Sequence, residues 1–186
     1  EDIIKIFYYY KNFINYKSRL FPIGAVIDVP IYYKSLLGYI EELKLEDVLF
    51  RNKVTDKDLT SYYRISNILI HMSEHEGVGL PLIEAMYFKI PIIAFNATAV
   101  PYTLEKAGIL VNEKDYRKIA ELINIILNDD DLRNKILESQ EKRLKYFDSE
   151  RLKREMLKHI LELRNFDRKL ISLEAPMKRL MDEAKI

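Results

Sequence analysis

The chain has 186 residues, of which 48% are hydrophobic and 32% charged, and its formal net charge at pH 7 is +1. This composition is typical of a globular domain with a sizeable core and excludes a disordered chain, and so small a net charge gives no general attraction to nucleic acid. The chain contains no cysteine, which excludes disulfides, thiolate nucleophiles and cysteine-ligated metal sites.

The first part of the chain alternates between helical and strand patterns. Asp2 is placed to cap a first helix. The apolar face of that helix consists of Ile3, Ile6, Phe7, Tyr10 and Phe13. The segment Arg19–Ala25 predicts a short buried strand that ends in a turn at Gly24, and Val48–Phe50 predicts the next strand. Apolar residues at helical spacing predict a second helix between them, namely Leu36, Leu37, Ile40 and Leu43.

The middle of the chain continues the alternation. Thr55 opens the cap-like run TDKDL and predicts a short helix through Ile65. The segments Asn67–His71, Pro91–Phe95 and Gly108–Val111 are short and apolar, as expected of strands covered on both faces. Short apolar strands that alternate with helices predict an α/β fold with a Rossmann-like, doubly wound parallel sheet.

From Asp115 onward the pattern is purely helical. We place a sheet domain at residues 1–147 and a helical C-terminal extension at residues 148–186. No apolar run approaches the roughly 20 residues that span a bilayer, and no leader pattern opens the chain, so a cytoplasmic location is expected. The tail Arg151–Leu170 mixes basic residues with an apolar stripe. We expect it to pack against protein, and peripheral contact with the inner face of the membrane is the alternative.

The run SEHEGVGLPLIEAMYF, residues 73–88, lies between a predicted strand and a predicted helix. Gly77 and Gly79 would let the backbone approach a ligand and adopt angles closed to other residues. Pro81 suits the first turn of the helix. Amide groups near Leu80 and the positive end of the helix would then form a site for a phosphate or diphosphate, at the edge of the sheet where such folds bind ligands.

Two carboxylates, Glu76 and Glu84, stand eight positions apart around these glycines. Both can face one cleft, because Glu84 lies about one helical turn into the helix. Carboxylates accept hydrogen bonds from hydroxyl groups, so the pair suits a nucleotide sugar bound through its diphosphate. From spacing alone the plainer alternative stays open, in which the glycines make a turn and the glutamates are surface charges favoured by the helix dipole.

The run EGVGLPLIEAM resembles the E-x7-E motif of retaining GT-B glycosyltransferases of family 4. The flanking sequences also resemble that family, in the same order. They are VTDKDLTSYYRISNILIHMSEHEG before the motif and PIIAFNATAVPYTLEKAGILV after it. The resemblance runs from Glu1 to about Tyr146 and corresponds to the C-terminal, donor-binding domain of those enzymes.

The resemblance implies a role for each residue of the motif. Glu84 would bind the ribose hydroxyls of the donor, and Glu76 would contact the transferred hexose. Glu76 would act by positioning and electrostatics rather than as a demonstrated nucleophile. The backbone of Gly77, Val78, Gly79 and Leu80 would hold the sugar and the diphosphate. The family generally needs no divalent metal, so no cofactor is expected besides the nucleotide-sugar substrate.

Other positions are less certain matches to the family. Gly24 falls in the glycine turn after the second strand, and Asn52 stands near a family glycine beside the nucleotide base. His75 either contacts donor phosphate or sugar or is a plain loop histidine. A metal site built from His71 and His75 with the neighbouring Glu74 and Glu76 is disfavoured, because the spacing lacks helical geometry and a third anchored ligand.

The resemblance begins after the family's first strand, its two diphosphate-neutralising cations and its acceptor-binding domain. We therefore expect a part of a longer enzyme, incomplete for catalysis and with an unpaired strand edge. The implied reaction moves a hexosyl group from a UDP- or GDP-sugar to a glycan or lipid-linked acceptor, which the missing N-terminal domain would bind. The alternative is a non-catalytic nucleotide-sugar-binding or scaffold module that works with a partner chain.

Overall fold

The computed structural model describes residues 1–24, 29–51 and 53–163. The helices are α1 (Asp2–Phe13), α2 (Pro30–Glu42), α3 (Asp56–Ile65), α4 (Leu80–Tyr87), α5 (Val100–Leu104), α6 (Tyr116–Asn128) and α7 (Asp130–Leu144). The strands are β1 (Leu69–His71), β2 (Ile92–Phe95) and β3 (Ile109–Val111). A 3-10 turn at Lys145–Phe147 and helical residues 149–163 follow α7.

The three strands form a parallel sheet in the order β1-β2-β3. Side chains alternate between its faces, as the pleat of a strand requires. Ile93 packs with α1 and α6 in one buried cluster, whereas Ile92 and Ala94 pack with α4 and α5 in another. Helices therefore cover both faces of the described sheet, and the predicted doubly wound α/β architecture is confirmed.

The first two predicted strands are reduced to isolated parallel bridges, Leu20 with Val48 and Ile23 with Arg51. Pro22 explains the interruption. The N–H groups of Leu49 and Arg51 donate to the carbonyls of Leu20 and Pro22, but regular parallel pairing also needs an N–H at position 22. Proline has none, so the ladder breaks in the middle.

The structure confirms one of the predicted helix caps and contradicts another. Thr55 caps α3 as predicted, because its side chain accepts a hydrogen bond from the N–H of Asp58. The prediction that Asp2 caps α1 is wrong, since Glu1 holds the cap position without a side-chain bond. Asp2 is the first helical residue, and its carboxylate bonds to Lys114 and Tyr116 instead. Of the apolar residues predicted on one face of α2, Leu36 is buried, whereas Leu37 is exposed.

The chain divides into two compact units, Glu1–Leu144 and Lys145–Ile186. The first unit contains the sheet and α1 to α7. The predicted boundary after residue 147 lies close to this division and stays a prediction. The part of the predicted helical extension beyond residue 163 lies outside the described residues. The described residues include no helix that combines the length and the hydropathy of a membrane span.

Candidate functional site

The loops that follow the three strands meet at one edge of the sheet, because parallel strands end on the same side. The loop after β1, residues 72–79, is called the glycine loop below. The N–H of Glu76 in this loop donates to Thr98 Oγ1 in the loop after β2, at 3.0 Å. Asn96, after β2, donates from Nδ2 to Asn112 Oδ1, after β3, at 2.7 Å. These bonds tie the loops at the carboxyl edge together.

The two glycines of the glycine loop have different structural roles. Gly79 caps α4 in the left-handed conformation, with φ 74°, and a Cβ there would lie 2.9 Å from Leu82 Cδ1. The left-handed backbone therefore strongly favours glycine at position 79. The expectation of a special backbone angle is wrong at Gly77, whose φ is not positive. A Cβ at Gly77 would meet no described atom within 4 Å, so that face of the backbone is open.

The backbone at the start of α4 offers unused donors. The N–H groups of Gly77, Val78, Gly79 and Leu80 make no hydrogen bond to any residue that the structure describes. The carbonyl of Val78 is turned away and accepts a bond from Oγ1 of the buried Thr103. Pro81 occupies the first turn, as predicted. Free amide donors at the positive end of a helix are suited to binding an anion.

Glu84 is held by a tyrosine from a different helix. Tyr63 Oη donates to Glu84 Oε2 at 2.7 Å, from α3 to α4. The Tyr63 ring stacks on Phe88, with centroids 5.1 Å apart and an interplanar angle of 6°. Burial, together with the hydrogen bond to Glu84 and its charge, raises the pKa of Tyr63. The phenol therefore stays protonated and keeps one carboxylate oxygen of Glu84 in place.

Glu76 is held by a histidine at the end of β1. His71 Nε2 lies 3.1 Å from Glu76 Oε1, and His71 is only 9% exposed. With the backbone bond to Thr98, the main chain and the side chain of Glu76 each have a partner. The side chain of Glu76 is 25% exposed, so it can still reach a ligand.

Lys114 links the glycine loop to α1 through two ion pairs. Lys114 Nζ lies 2.7 Å from Asp2 Oδ2 and 2.6 Å from Glu74 Oε1. It therefore connects α1, the glycine loop and the segment after β3. Burial opposes the charge of Asp2, yet the hydrogen bonds from Lys114 and Tyr116 outweigh it and lower the pKa of Asp2. Burial likewise disfavours the ammonium of Lys114, but bonds to Asp2 and Glu74 raise its pKa.

The remaining predicted site residues are placed as follows. His75 is exposed, and only its main chain is bonded, to Ser73 Oγ. Gly24 donates its N–H to the carbonyl of Arg51 at 3.3 Å, and the prediction for Asn52 lies outside the described residues. In the part of the chain that the structure describes, no three His, Asp or Glu side chains are grouped so as to hold a metal. The roles of these residues stay predictions.

Four contacts of the site were not predicted from the sequence: Tyr63 with Glu84, Thr98 with Glu76, Thr103 with Val78, and His71 with Glu76. Tyr63 and Glu84 are 21 positions apart, and Glu76 and Thr98 are 22 apart. No periodic pattern links such distant residues. The one local signal was His71 itself, a titratable residue within the otherwise apolar run from Ile68 to Met72.

The chain is similar in sequence to known glycosyl transferases. A family model described as glycosyl transferases group 1 matches residues 26–143, more than half of the chain. The O-antigen chain mannosyltransferase B of Escherichia coli is 34% identical over 80 residues, which cover 43% of this chain and 21% of that enzyme.

Two solved structures share the fold. The C-terminal domain of LpcC, a glycosyl transferase group 1 family protein from Francisella tularensis, has 26% sequence identity and a TM-score of 0.61, over 77% of each chain. Anabaena HepE in complex with UDP-glucose has 21% identity and a TM-score of 0.73, over 86% of this chain and 44% of that chain. Apart from the isolated Francisella domain, these matches span less than half of the relative's length. The chain belongs to the glycosyl transferases group 1 family, and its fold is that of the C-terminal domain of a GT-B glycosyltransferase.

Proposed function

We propose that this chain is the donor-binding part of a retaining glycosyltransferase of the GT-B, family 4 type. The intact enzyme would move a hexosyl group from a UDP- or GDP-sugar to a hydroxyl group of a glycan or lipid-linked acceptor. Family membership supports a transferase. The E. coli relative is named a mannosyltransferase of the O-antigen chain, and HepE was solved with UDP-glucose. Both favour a nucleotide sugar as the ligand here.

One observation carries the proposal. Two carboxylates, Glu76 and Glu84, are each fixed by a hydrogen bond from another element, and between them in sequence lie four amide N–H groups without a described acceptor. A nucleotide sugar needs acceptors for its ribose and hexose hydroxyls and donors for its diphosphate. The edge of the sheet supplies both kinds of group.

The transfer breaks the bond between the anomeric carbon and the diphosphate oxygen, which leaves with the electron pair. A new bond joins that carbon to the acceptor oxygen, and the acceptor's proton passes to the departing diphosphate. In our proposal the amides of the glycine loop and the positive end of α4 stabilise the charge that develops on the leaving group. Glu76 lies beside the hexose and stabilises positive charge on the sugar ring, and no metal takes part.

Donor binding tests the proposal on the chain as it is. Calorimetric titration with UDP-glucose and GDP-mannose should show saturable binding of at least one of them. Glu84→Ala should weaken that binding roughly tenfold or more, because a charge-assisted hydrogen bond is worth about 1.5–3 kcal/mol. Glu138→Ala is the matched control, since Glu138 is an exposed carboxylate on α7 with no bond to a described residue. Equal loss in both variants, or none in Glu84→Ala, would refute the ribose assignment.

The stereochemical part of the proposal has its own test. Slow hydrolysis of an α-linked donor, followed by proton NMR, should release the α-anomer of the hexose before mutarotation if the site is retaining. Initial release of the β-anomer would contradict a retaining mechanism. Binding without any hydrolysis or transfer, even after an acceptor-binding domain is supplied, would favour the non-catalytic binding module.

A further inference from the structure

Among the described residues, His71 is a buried titratable side chain that the proposed chemistry does not yet use. It ends β1 at the edge of the sheet where the glycine loop begins, and it is 9% exposed. Its neighbours in sequence, from Ile68 to Met72, are otherwise apolar. An apolar side chain at position 71 would continue this run without burying a polar ring. The histidine therefore needs a reason beyond packing.

The contacts of the ring indicate which ring nitrogen donates to Glu76. His71 Nε2 lies 3.1 Å from Glu76 Oε1, and an ionised carboxylate can only accept a hydrogen bond. Nε2 must therefore carry the proton. The other ring nitrogen, Nδ1, is buried and has no partner among the described residues. No competing bond among the described residues selects the other tautomer, and His71 presents its Nε2–H as a donor to Glu76.

Glu76 is consequently fixed at two points. Its main-chain N–H donates to Thr98 Oγ1 at 3.0 Å, and its side chain accepts from His71. Only one carboxylate oxygen of Glu76 is engaged by His71. The other makes no hydrogen bond to a described residue, which leaves it for a ligand. Holding one oxygen orients the second, because the two lie in one rigid plane.

We propose that His71 is a positioning residue, whose Nε2–H fixes the carboxylate of Glu76 for the hexose end of a bound nucleotide sugar. The inference rests on the proposed function, in which Glu76 contacts the hexose and Glu84 the ribose. The inference predicts that His71 contributes to binding of the sugar end of the ligand and not to binding of the nucleotide end. A role in folding alone would not make this distinction.

The binding experiment compares each nucleotide sugar with its own nucleoside diphosphate, UDP-glucose beside UDP and GDP-mannose beside GDP. His71→Leu removes the donor at similar volume and should weaken binding of the nucleotide sugar roughly five- to tenfold, the loss expected for one hydrogen bond. Binding of the nucleoside diphosphate should change less than about twofold. His71→Gln places an amide N–H near the position of Nε2 and should restore most of the nucleotide-sugar affinity.

Parallel losses for nucleotide sugar and nucleoside diphosphate would overturn the inference, as would failure of His71→Gln to restore what His71→Leu loses. Melting temperatures of both variants identify any that do not fold. If the wild-type chain binds none of the four ligands, the proposed function fails. The hydrogen bond between His71 and Glu76 is then tested without any ligand.

That test uses nitrogen-15 NMR of the unmodified chain at about pH 8, above the ordinary histidine pKa of about 6.5. His71 should show the Nε2–H tautomer with a ring proton protected from exchange, and Glu76→Ala should abolish the protection. His75 and His159 are internal references, because both are exposed. A mixture of tautomers at His71, or a protected proton that is unchanged in Glu76→Ala, would overturn the contact without reference to any ligand.

Discussion

The hydroxyl group of Tyr63 lies 2.7 Å from Oε2 of Glu84 and joins α3 to the helix that follows the glycine loop. The Tyr63 ring is stacked on Phe88, so the hydroxyl group has little freedom to turn elsewhere. This contact places a carboxylate whose proposed partner is the ribose. In the proposed function Tyr63 would therefore position the nucleotide end of the site, as His71 would position the sugar end.

Tyr63→Phe should weaken the binding of a nucleoside diphosphate and of its nucleotide sugar by the same factor. The pairs to compare are UDP with UDP-glucose and GDP with GDP-mannose. We expect about three- to tenfold, since one hydrogen bond to a charged acceptor is lost while the ring keeps its stacking. Calorimetric titration measures both affinities. Tyr87→Phe is the matched control because Tyr87 is exposed and its hydroxyl group bonds to no described residue. A loss confined to the nucleotide sugar would show that Glu84 does not serve the ribose.

The two glycines of the glycine loop should respond differently to alanine. Gly79→Ala forces a side chain into a left-handed position and within 2.9 Å of Leu82 Cδ1, and it should lower the free energy of unfolding by about 1–2 kcal/mol. Gly77→Ala meets open space and should change stability by less than about 0.5 kcal/mol. Its methyl group would instead occupy the space beside the free amides and weaken donor binding.

Denaturant unfolding and ligand titration of the same two variants check this division. A Gly77→Ala protein that is as unstable as Gly79→Ala would mean that the described backbone of the loop is wrong. A Gly77→Ala protein that binds donor normally would mean that the ligand does not approach this face of the loop.

The network around Lys114 gives a pH-dependent prediction. Lys114→Met should lower the melting temperature at neutral pH by roughly 2–4 °C, corresponding to about 1 kcal/mol for a partly buried ion pair in a chain of this size. Since the pKa of Asp2 is lowered from 3.8, its contribution is present above that value and is lost as the pH falls below it. Since the pKa of Lys114 is raised from 10.5, its contribution is lost only as the pH rises beyond that value.

Thermal unfolding of wild type and Lys114→Met at a series of pH values measures the difference directly. The difference should be constant between about pH 5 and 9 and should shrink toward zero as the pH falls below the ordinary aspartate pKa of 3.8. Lys118→Met is the control, because the Lys118 side chain is 77% exposed and its pair with Asp115 contributes little. A difference that grows in acid would contradict the role given to Asp2.

Much of the fold was predictable because it follows from short-range patterns. The apolar runs at Ile92–Phe95 and Ile109–Val111 are strands, and Thr55 and Pro81 mark helix starts, since each depends only on neighbouring residues. The segment around Pro22 is an exception. Its apolar pattern predicted a continuous strand, but Pro22 lacks the N–H that regular pairing needs, and only isolated bridges form.

The candidate site was predictable in its position but not in its internal bonds. Glycine spacing and the strand before it located the loop, whereas the partners of Glu76 and Glu84 come from β1 and α3 through tertiary packing. Asp2 shows the same limit. Its local position suggested a helix cap, but its carboxylate bonds to Lys114, 112 positions away.

A structure of the chain bound to UDP-glucose or GDP-mannose tests the central claim most directly. The account predicts a ribose hydroxyl on Glu84, the diphosphate on the amides of residues 77–80 and the hexose beside Glu76. A donor bound away from the glycine loop, or Glu76 and Glu84 facing opposite sides of the bound molecule, would contradict it.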